Sequence, residues 1–382
     1  MPKTYNVKSL FYGPDLQLVS PAHVRVGDDG RIEEIGKGFE LTGKVMKNEV
    51  ALPALINAHT HVGDSAFKDA GLDLTLGELV EPVKGLKYQL LASAKEGDLV
   101  RAMRGSATYM LRGGTVMFAD FREGGIRGLS LLHRAMRGLP IRSLAFGRPV
   151  DVGRAKREEL EEVLEKAHGI GISSPTNFDA ESLRLIREVA SSKGRPVVTH
   201  VREDAALVGD FELAEKYLKP DIMVHMIHAT SEQLRVAKEM GASVVCCPRS
   251  NAFLTFFLPP IDEMLDLGLN VALGTDNVAW VEPNLFKEME FTFTLLRLKR
   301  CKPIDASLEV VKMCTINAAR ALRMEKDYGS IEEGKRASLI FVSLEASNLS
   351  PSLNALATIA RRGMPGNIRL LLLDGKEVPL IS

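Results

Sequence analysis

The chain has 382 residues, 45% of them hydrophobic, which is enough for one large domain or for one large and one small domain. Because 49 basic side chains balance 49 acidic ones, the bulk charge gives no argument for binding to nucleic acid or to a membrane. No apolar run approaches the roughly 18 residues of a transmembrane helix. The four cysteines lie late in the chain and two are adjacent, which disfavours disulfides, so we expect a cytoplasmic protein with buried free thiols.

The first fifty residues predict short strands joined by turns. Asn6–Tyr12 runs into a Gly-Pro-Asp turn, and His23–Val26 precedes the turn cluster Gly27–Gly30. Arg31–Ile35 then resumes the extended pattern. This pattern is not that of a helical domain.

From Ala51 onward, short apolar runs alternate with helical stretches, which is typical of a parallel sheet covered by helices. The eight apolar runs are Ala51–His59, Gly114–Phe121, Arg142–Pro149, Gly169–Pro175, Pro196–Glu203, Ile222–His228, Ser243–Pro248 and Asn270–Asp276. The helical stretches between them include Glu96–Arg112, Lys156–Ala167, Asp179–Ser192, Phe211–Tyr217, Ser231–Met240 and Ile261–Leu267. Eight such units predict an α/β fold with a TIM-like (β/α)8 barrel. A doubly wound open sheet is the alternative, because strand count alone does not show closure.

The chain after the eighth run returns to a strand-rich pattern. Leu285–Leu298 and Ser307–Leu322 are predicted helices, and the turn-rich link Gly329–Lys335 leads into strands Ser338–Val342 and Ile368–Leu373. Strand-rich segments at both ends of the chain predict a small β-sandwich domain. Its two halves are residues 1–50 and 330–382, and the barrel of residues 51–329 is inserted between them.

Histidines and acidic residues gather at the ends of the predicted strands, where a parallel barrel carries its active site. They are His59, His61, His200, Glu203, His225, His228 and Asp276. Because His59 and His61 are two residues apart in an extended segment, both imidazoles point to the same side and suit chelation of one divalent ion. Five of the eight histidines occupy such positions, which indicates a metal site; His23, His133 and His168 are not assigned to it.

Four segments together resemble the amidohydrolase superfamily. They are Leu52–His61, which ends in His-Thr-His, then His200–Glu203, Cys247–Asn251 and Leu273–Asp276. More narrowly, they resemble the branch that contains cytosine, guanine and S-adenosylhomocysteine deaminases and triazine chlorohydrolases. Ile331–Ala337 is similar to the segment by which this family returns into its β domain.

The resemblance implies a catalytic metal centre and its acid/base groups. It implies His59, His61, His200 and Asp276 as ligands of one divalent metal ion, with zinc as the leading candidate and iron or manganese as alternatives. Asp276 is also implied as a proton shuttle, Glu203 as the acid/base of the HxxE motif, and His225 as the catalytic histidine of strand six, with His228 as its competitor. Three imidazoles and a carboxylate leave an open position for water, whose pKa a metal lowers toward about 7.

The fourth strand departs from the pattern of binuclear relatives. Gly169–Pro175 contains neither the lysine that bridges two metals nor the histidine that many related deaminases place there. The missing lysine favours one metal. Cys246 also stands where relatives often have a histidine, so no particular relative's substrate can be carried over.

Several further side chains at strand ends and in adjacent loops are candidates for substrate contact. They are Asp64, Arg122, Arg148, Arg202, Arg249, His228 and Trp280. Four guanidinium groups around one mouth favour an anionic substrate, because arginine binds carboxylate and phosphate through paired donors. Ion pairs with nearby carboxylates are the competing interpretation of these arginines.

The function expected is hydrolytic deamination of a heterocyclic or amidino small molecule. A cyclic amide (imidazolone-type) hydrolase would use the same metal and differ in its leaving group. The alternative outside enzymes is an inactive relative that acts as a scaffold, although every matched ligand is present. We expect a small-molecule substrate as the partner; barrel enzymes often self-associate, so a homo-oligomer stays open.

Overall fold

The computed structural model describes residues 2–150, 153–299 and 306–380, and its strands form two sheets, one of eight and one of nine strands. In chain order the strands are β1 (Lys3–Tyr12), β2 (Gln17–Val19), β3 (Ala22–Val26), β4 (Ile32–Lys37), β5 (Lys44–Pro53), β6 (Leu55–His61), β7 (Thr115–Arg122), β8 (Arg142–Gly147), β9 (Gly169–Ile172), β10 (Val197–Val201), β11 (Ile222–His225), β12 (Ser243–Cys246), β13 (Val271–Leu273), β14 (Asp276–Asn277), β15 (Leu339–Ser343), β16 (Ile368–Leu373) and β17 (Lys376–Val378).

The helices lie mainly between the strands of the larger sheet. They are α1 (Leu76–Val80), α2 (Leu86–Ser93), α3 (Glu96–Arg112), α4 (Gly125–Met136), α5 (Arg157–Lys166), α6 (Ala180–Ser192), α7 (Asp210–Leu213), α8 (Ser231–Glu239), α9 (Pro248–Leu254), α10 (Ile261–Asp266), α11 (Leu285–Lys299), α12 (Ala306–Met313), α13 (Ile316–Ala321) and α14 (Ala355–Arg362). Short 3₁₀ segments occupy Val62–Phe67, Pro175–Asn177 and Pro365–Asn367, and a π turn occupies Ala214–Leu218.

The larger sheet is parallel and curls back on itself. Its strand order is β13-β12-β11-β10-β9-β8-β7-β6-β14. Only Gly274 and Thr275 separate β13 from β14, yet β13 pairs with β12 and β14 pairs with β6. One short stretch of chain therefore joins both ends of the sheet. The predicted α/β class with a barrel-like parallel sheet is confirmed in this form.

The strands of the curled sheet are buried on both faces, as expected for a parallel sheet under helices. All eight residues of β7 are buried. Met117, Ala119 and Phe121 pack in one apolar cluster with residues of neighbouring strands, whereas Val116 and Phe118 pack in the cluster that includes α3. This alternation leaves the strand ends to carry the polar groups.

The smaller sheet combines the two ends of the chain. Its order is β17-β16-β15-β5-β1-β3-β4, and β2 pairs with β1. The N-terminal and C-terminal strands meet where β5 runs antiparallel to β15. Tyr5, Val24 and Phe341 belong to its apolar cluster.

Two predicted elements are divided in the structure. The apolar run Ala51–His59 contributes to both sheets, because β5 ends at Pro53, where the chain lacks an N–H donor, and β6 begins at Leu55. The predicted helix Ser307–Leu322 is broken between α12 and α13 at Thr315, whose backbone is not helical. Hydrophobic patterning detects neither break, since both sides of each break are buried.

The thiols of the described residues behave as composition predicts. Cys246, Cys247 and Cys314 are free and buried, and Cys301 lies outside the described residues. Burial raises the pKa of the Cys246 thiol above its ordinary value. In the same parts of the chain, every helix is too short or too polar to cross a lipid bilayer.

Candidate active site

Four buried side chains converge at one edge of the curled sheet. His59 and His61 lie in β6, His200 in β10 and Asp276 in β14. Their ligand atoms all lie within 4.8 Å of one another. The Nε2 atoms of His59 and His200 are 3.3 Å apart, and Oδ1 of Asp276 lies 3.3 Å from Nε2 of His59. The structure thus brings together the four residues predicted as metal ligands.

Hydrogen bonds to two of the histidines orient their lone pairs toward the centre of this group. Nδ1 of His61 lies 2.9 Å from a Glu123 oxygen, and Nδ1 of His200 lies 3.2 Å from the Ser173 carbonyl. Both partners accept hydrogen bonds, so each Nδ1 carries the proton and each Nε2 presents a lone pair. Burial lowers the pKa of His61 to about 3 and also lowers that of His200. Neutral imidazoles facing a carboxylate are the donor set that a divalent metal ion needs.

Asp276 is held by hydrogen bonds at both carboxylate oxygens. Ser250 Oγ donates to Oδ2 at 2.6 Å, and Asn277 Nδ2 donates to Oδ1 at 3.0 Å. Burial alone would raise the pKa of Asp276, but hydrogen bonding to His59 and the other nearby imidazoles hold it well below its ordinary value. The carboxylate is therefore ionised and fixed in orientation.

Glu203 and His225 face each other beside this group. Nε2 of His225 lies 3.5 Å from Oε1 of Glu203, and both residues form a close cluster with Asp276. Burial raises the pKa of Glu203 although His225 opposes the shift. A carboxyl group whose pKa is raised toward neutrality can both donate and accept a proton, which suits general acid/base work.

Backbone strain coincides with these strand ends. Arg202, His225 and Asp276 have φ values of 54°, 78° and 61°, in the left-handed region that residues other than glycine rarely adopt. Such conformations cost on the order of 1–3 kcal/mol each and concentrate at functional sites.

His228 lies apart from the cluster, although it was the alternative to His225. Its ring is half-buried and packs edge-on against Phe257, with 4.9 Å between the ring centroids. Its carbonyl oxygen accepts hydrogen bonds from the guanidinium of Arg202 at 2.9 and 3.1 Å. The geometry therefore supports His225 for the strand-six role.

A cavity of about 360 Å³ opens over the cluster, in the size range of small-molecule sites. His61, His200, Glu203, His225 and Asp276 line its floor. The segment that contains α1 and α2 covers it; the covering side chains are Leu76, Val80, Pro82 and Tyr88.

The four candidate arginines do not share one mouth. Arg148 lines the cavity and lies over the Tyr88 ring, 5.7 Å from its centroid. Arg122 is buried in ion pairs with Asp120 and Glu123. Each of the remaining two also pairs with carboxylates: Arg202 lies 3.8 Å from Asp210, and Arg249 lies 3.6 Å from Glu288.

Asp64 and Trp280 also take structural positions. Asp64 is buried, accepts a hydrogen bond from the Ala279 N–H at 3.1 Å, and has its pKa raised to about 7 by burial. Trp280 donates from Nε1 to the Ala70 carbonyl at 2.8 Å, and together with Arg249 it lines a separate surface cavity.

Lys87 and Glu123 are functional candidates that the sequence reasoning missed. Lys87 is only 3% exposed, and its Nζ lies 2.7 Å from Glu123 Oε1 and 3.0 Å from Asn277 Oδ1. Glu123 in turn contacts His61, and Asn277 donates a hydrogen bond to Asp276, so Lys87 is connected to two of the predicted metal ligands. Glu123 directly follows β7, so reading strand ends for acidic residues could have found it. Lys87 lies in α2, where no sequence signal marks it.

A curled parallel sheet with three imidazoles and a carboxylate at its strand ends is the arrangement of a metal-dependent hydrolase. Comparison with known proteins supports this class: the model of the Amidohydrolase family matches residues 50–378. An uncharacterized protein of Methanocaldococcus jannaschii is 32% identical over an alignment 385 residues long, gaps included, which covers 95% of this chain and 96% of that protein. The chain therefore belongs to the amidohydrolase family, and the resemblance predicted from its motifs is confirmed.

Two further relatives refine the comparison. A 5-methylthioadenosine/S-adenosylhomocysteine deaminase of Caldanaerobacter subterraneus is 29% identical over 361 residues, covering 87% of this chain and 82% of that enzyme. The crystal structure of an adenosine deaminase from Xanthomonas campestris with bound zinc superposes with a TM-score of 0.85 at 20% identity, covering 98% of this chain and 92% of that one. Together with membership of the amidohydrolase family, the similarity to the first of these proteins shows that the chain is a hydrolase that acts on carbon–nitrogen bonds other than peptide bonds. The second supports the fold.

Proposed function

We propose that this chain is a hydrolytic deaminase of an amino-substituted heterocycle, with adenosine-type purines as the first substrates to test. The observation that carries the proposal is the placement of Glu203, His225 and Asp276 around one cavity, directly beside His59, His61 and His200. The name of the Caldanaerobacter relative supports purine nucleosides as the substrate class.

We propose His59, His61, His200 and Asp276 as the ligands of one divalent ion, with zinc as the first candidate. The donor set fits, because neutral imidazoles and an ionised carboxylate converge on a buried point. Such an ion would supply water of lowered pKa at neutral pH. Iron and manganese bind similar ligands and are the alternatives.

The protein groups divide the proton transfers between them. Asp276, ionised and held by Ser250, accepts a proton from the attacking water. Glu203 in its acid form gives a proton to the ring nitrogen next to the attacked carbon. The C–N bond then breaks, and ammonia leaves with a proton delivered through the same carboxyl groups. The balance is amine plus water giving a ring carbonyl and ammonia.

His225 completes the proposed machinery. Its ring lines the cavity, and its Nε2 lies 3.5 Å from Glu203. The Nε2–H group can therefore donate a hydrogen bond to the substituent of the attacked carbon on which negative charge develops. A donor fixed before the reaction begins acts without the cost of reorganisation.

An anionic group on the substrate would meet Arg148. This guanidinium lines the cavity and stacks over Tyr88. It also lies 3.4 Å from Glu123, which Lys87 and Arg122 contact as well, so part of its hydrogen-bonding capacity is free for a ligand. We propose Arg148 as the contact for a substrate carboxylate or phosphate.

The test is an ammonia-release assay of zinc-loaded protein across adenosine, 5'-methylthioadenosine, S-adenosylhomocysteine, guanine, cytosine, aminopterins and amidino acids. Release from one class, lost in His200→Ala, supports the proposal. Ring opening of a cyclic amide without ammonia would replace it with cyclic-amide hydrolysis. If zinc-loaded protein converts neither the amino compounds nor the cyclic amides, the alternative of an inactive scaffold protein is favoured instead.

We also propose a division into domains. Residues 1–50 and 330–382 would form a small β-sandwich domain, and residues 51–329 the catalytic barrel. The sheet that joins strands from both ends of the chain supports this division. A cytoplasmic location and self-association stay predictions from the sequence.

A further inference from the structure

His23 lies in the smaller sheet, outside the proposed catalytic metal site of His59, His61, His200 and Asp276. It is in β3, is 7% exposed, and its Nδ1 lies 3.0 Å from the carbonyl oxygen of Gly38. A carbonyl oxygen only accepts hydrogen bonds, so Nδ1 carries a proton. The neutral imidazole then presents a lone pair at Nε2, and that buried atom has no hydrogen-bond partner among the described residues.

The unpartnered Nε2 atom points at two carboxylates. Oε1 of Glu34, in β4, lies 3.6 Å away, and Oε1 of Glu40, in the segment after β4, lies 3.9 Å away. A lone pair that faces two carboxylates is electrostatically unfavourable, and a divalent cation bound between the three atoms would relieve the repulsion. Metal-ligating histidines commonly donate their other ring N–H to a backbone carbonyl, as His23 does to Gly38.

Gly36 gives the imidazole the space to adopt this orientation. It pairs with His23 across β3 and β4. A Cβ atom at Gly36 would lie 2.1 Å from Cε1 of His23, a separation that would displace the ring. The close approach of strand backbone to the imidazole therefore depends on glycine at this position.

Arg25 also pairs with these carboxylates. It contacts Oε2 of Glu34, Oε1 of Glu40 at 3.5 Å, which is the same oxygen that faces His23, and Glu33 at 3.4 Å. Within the described parts of the chain, His23 is the one basic side chain within 4.0 Å of Oε1 of Glu34. Three carboxylates against one guanidinium leave the cluster with a net negative charge, which a divalent cation would offset.

We propose that His23, Glu34 and Glu40 bind a second divalent metal ion, of the class that accepts mixed nitrogen and oxygen ligands. Ligand atoms about 2.1 Å from a tetrahedral zinc ion lie about 3.4 Å apart, so the two separations from Nε2 of His23 need to close by only a few tenths of an ångström. All three ligand atoms lie within 4.8 Å of one another. The ion pins the segment after β4 to the strand that carries His23. Its role is structural, and it is independent of the deaminase reaction.

The test is a zinc titration by calorimetry of chelator-stripped protein at pH 8. The wild type should bind two equivalents, the weaker of them at this site because Arg25 opposes a cation. His23→Gln should bind one equivalent and keep its catalytic turnover with zinc. His133→Gln, which changes an exposed histidine in α4, should still bind two.

A complementary variant removes two ligands of the proposed catalytic metal site. His59→Ala/His61→Ala should retain one equivalent of zinc, with a zinc-dependent rise in melting temperature that Glu34→Gln/Glu40→Gln abolishes. If His23→Gln binds as many equivalents of zinc as the wild type, the second site is excluded. This comparison of zinc stoichiometry does not depend on whether the chain deaminates purines.

Discussion

The amide nitrogen of Asn251 lies 2.9 Å from Nδ1 of His225 and donates a hydrogen bond to it. Because an amide nitrogen carries only hydrogens, Nδ1 must be the unprotonated atom, and the ring proton lies on Nε2. That proton faces Glu203, whose Oε1 is 3.5 Å away. A residue of α9 thus selects the tautomer of a residue in β11.

Asn251→Asp tests this relationship. A carboxylate at this position would draw the ring proton to Nδ1 and leave a lone pair at Nε2, so the donor role proposed for His225 would be lost. We expect kcat to fall about 10–100-fold with zinc content unchanged, as is typical when partners of functional side chains are replaced. Asn354→Asp, at the exposed start of α14, is the matched control and should be neutral.

Glu203→Gln tests the acid/base role. The amide keeps the shape of the side chain but neither gains nor loses a proton, so kcat should fall by about 10²–10⁴. Zinc binding should persist, because Glu203 is not among the four proposed ligands. Turnover within twofold of the wild type would remove Glu203 from the mechanism.

Lys87→Met tests the buried network behind the proposed ligands. Without the ammonium group, Glu123 keeps Arg122 and Arg148 but loses its 2.7 Å partner. We expect the free energy of unfolding to drop by about 3 kcal/mol, the cost of breaking a buried ion pair. Zinc affinity, measured by calorimetry, should fall about 10–100-fold, because Glu123 orients His61.

Lys84→Met is the control for that variant. Lys84 is exposed and pairs with Glu81 at 3.1 Å, a surface ion pair worth about 0–1 kcal/mol. Equal effects of the two substitutions on zinc affinity would show that Lys87 does not support the metal group.

Glu288 makes stability depend on pH. This buried carboxyl group of α11 accepts a hydrogen bond from the Arg249 backbone N–H at 2.9 Å, while its other oxygen has no hydrogen-bond partner among the residues that the structure describes. Burial raises its pKa from 4.5 to about 7, so the folded state binds a proton that the unfolded state releases between these values. Its contribution to stability is therefore present below about pH 4.5 and is lost as the pH rises to about 7, at a cost of about 3 kcal/mol.

Thermal unfolding of Glu288→Gln measures this effect. The variant cannot ionise, so its melting temperature relative to the wild type should rise between pH 5 and pH 8. Glu290→Gln, an exposed position in the same helix, is the control. A difference between Glu288→Gln and wild type that stays constant with pH would show that Glu288 is not the group responsible.

The residues of the candidate active site were predictable because their positions follow from strand periodicity. Once the apolar runs are read as parallel strands, His59, His61, His200 and Asp276 must lie at one edge of the sheet. His225 was preferred over His228 because it is the first polar residue to interrupt its run, and the structure places it beside Glu203.

Contacts made by loops and by long side chains were not predictable in the same way. The position of Lys87 depends on how α1 and α2 fold over the cavity, which no periodicity encodes. The arginines followed strand ends as expected, but ion pairs with buried carboxylates direct Arg122 and Arg249 elsewhere. His23 was left unassigned because its partners come from a neighbouring strand and from the segment after it.

The most direct test of a deaminase with one catalytic metal ion is ammonia release from one preparation in three states: zinc-loaded, stripped by a chelator, and reloaded with zinc. Stripping should abolish ammonia release from the substrate identified in the panel. His23→Gln protein reloaded with one equivalent of zinc should recover the full rate, because that equivalent occupies the site proposed at His59, His61, His200 and Asp276. Release that continues undiminished from protein shown to contain no metal would contradict the account.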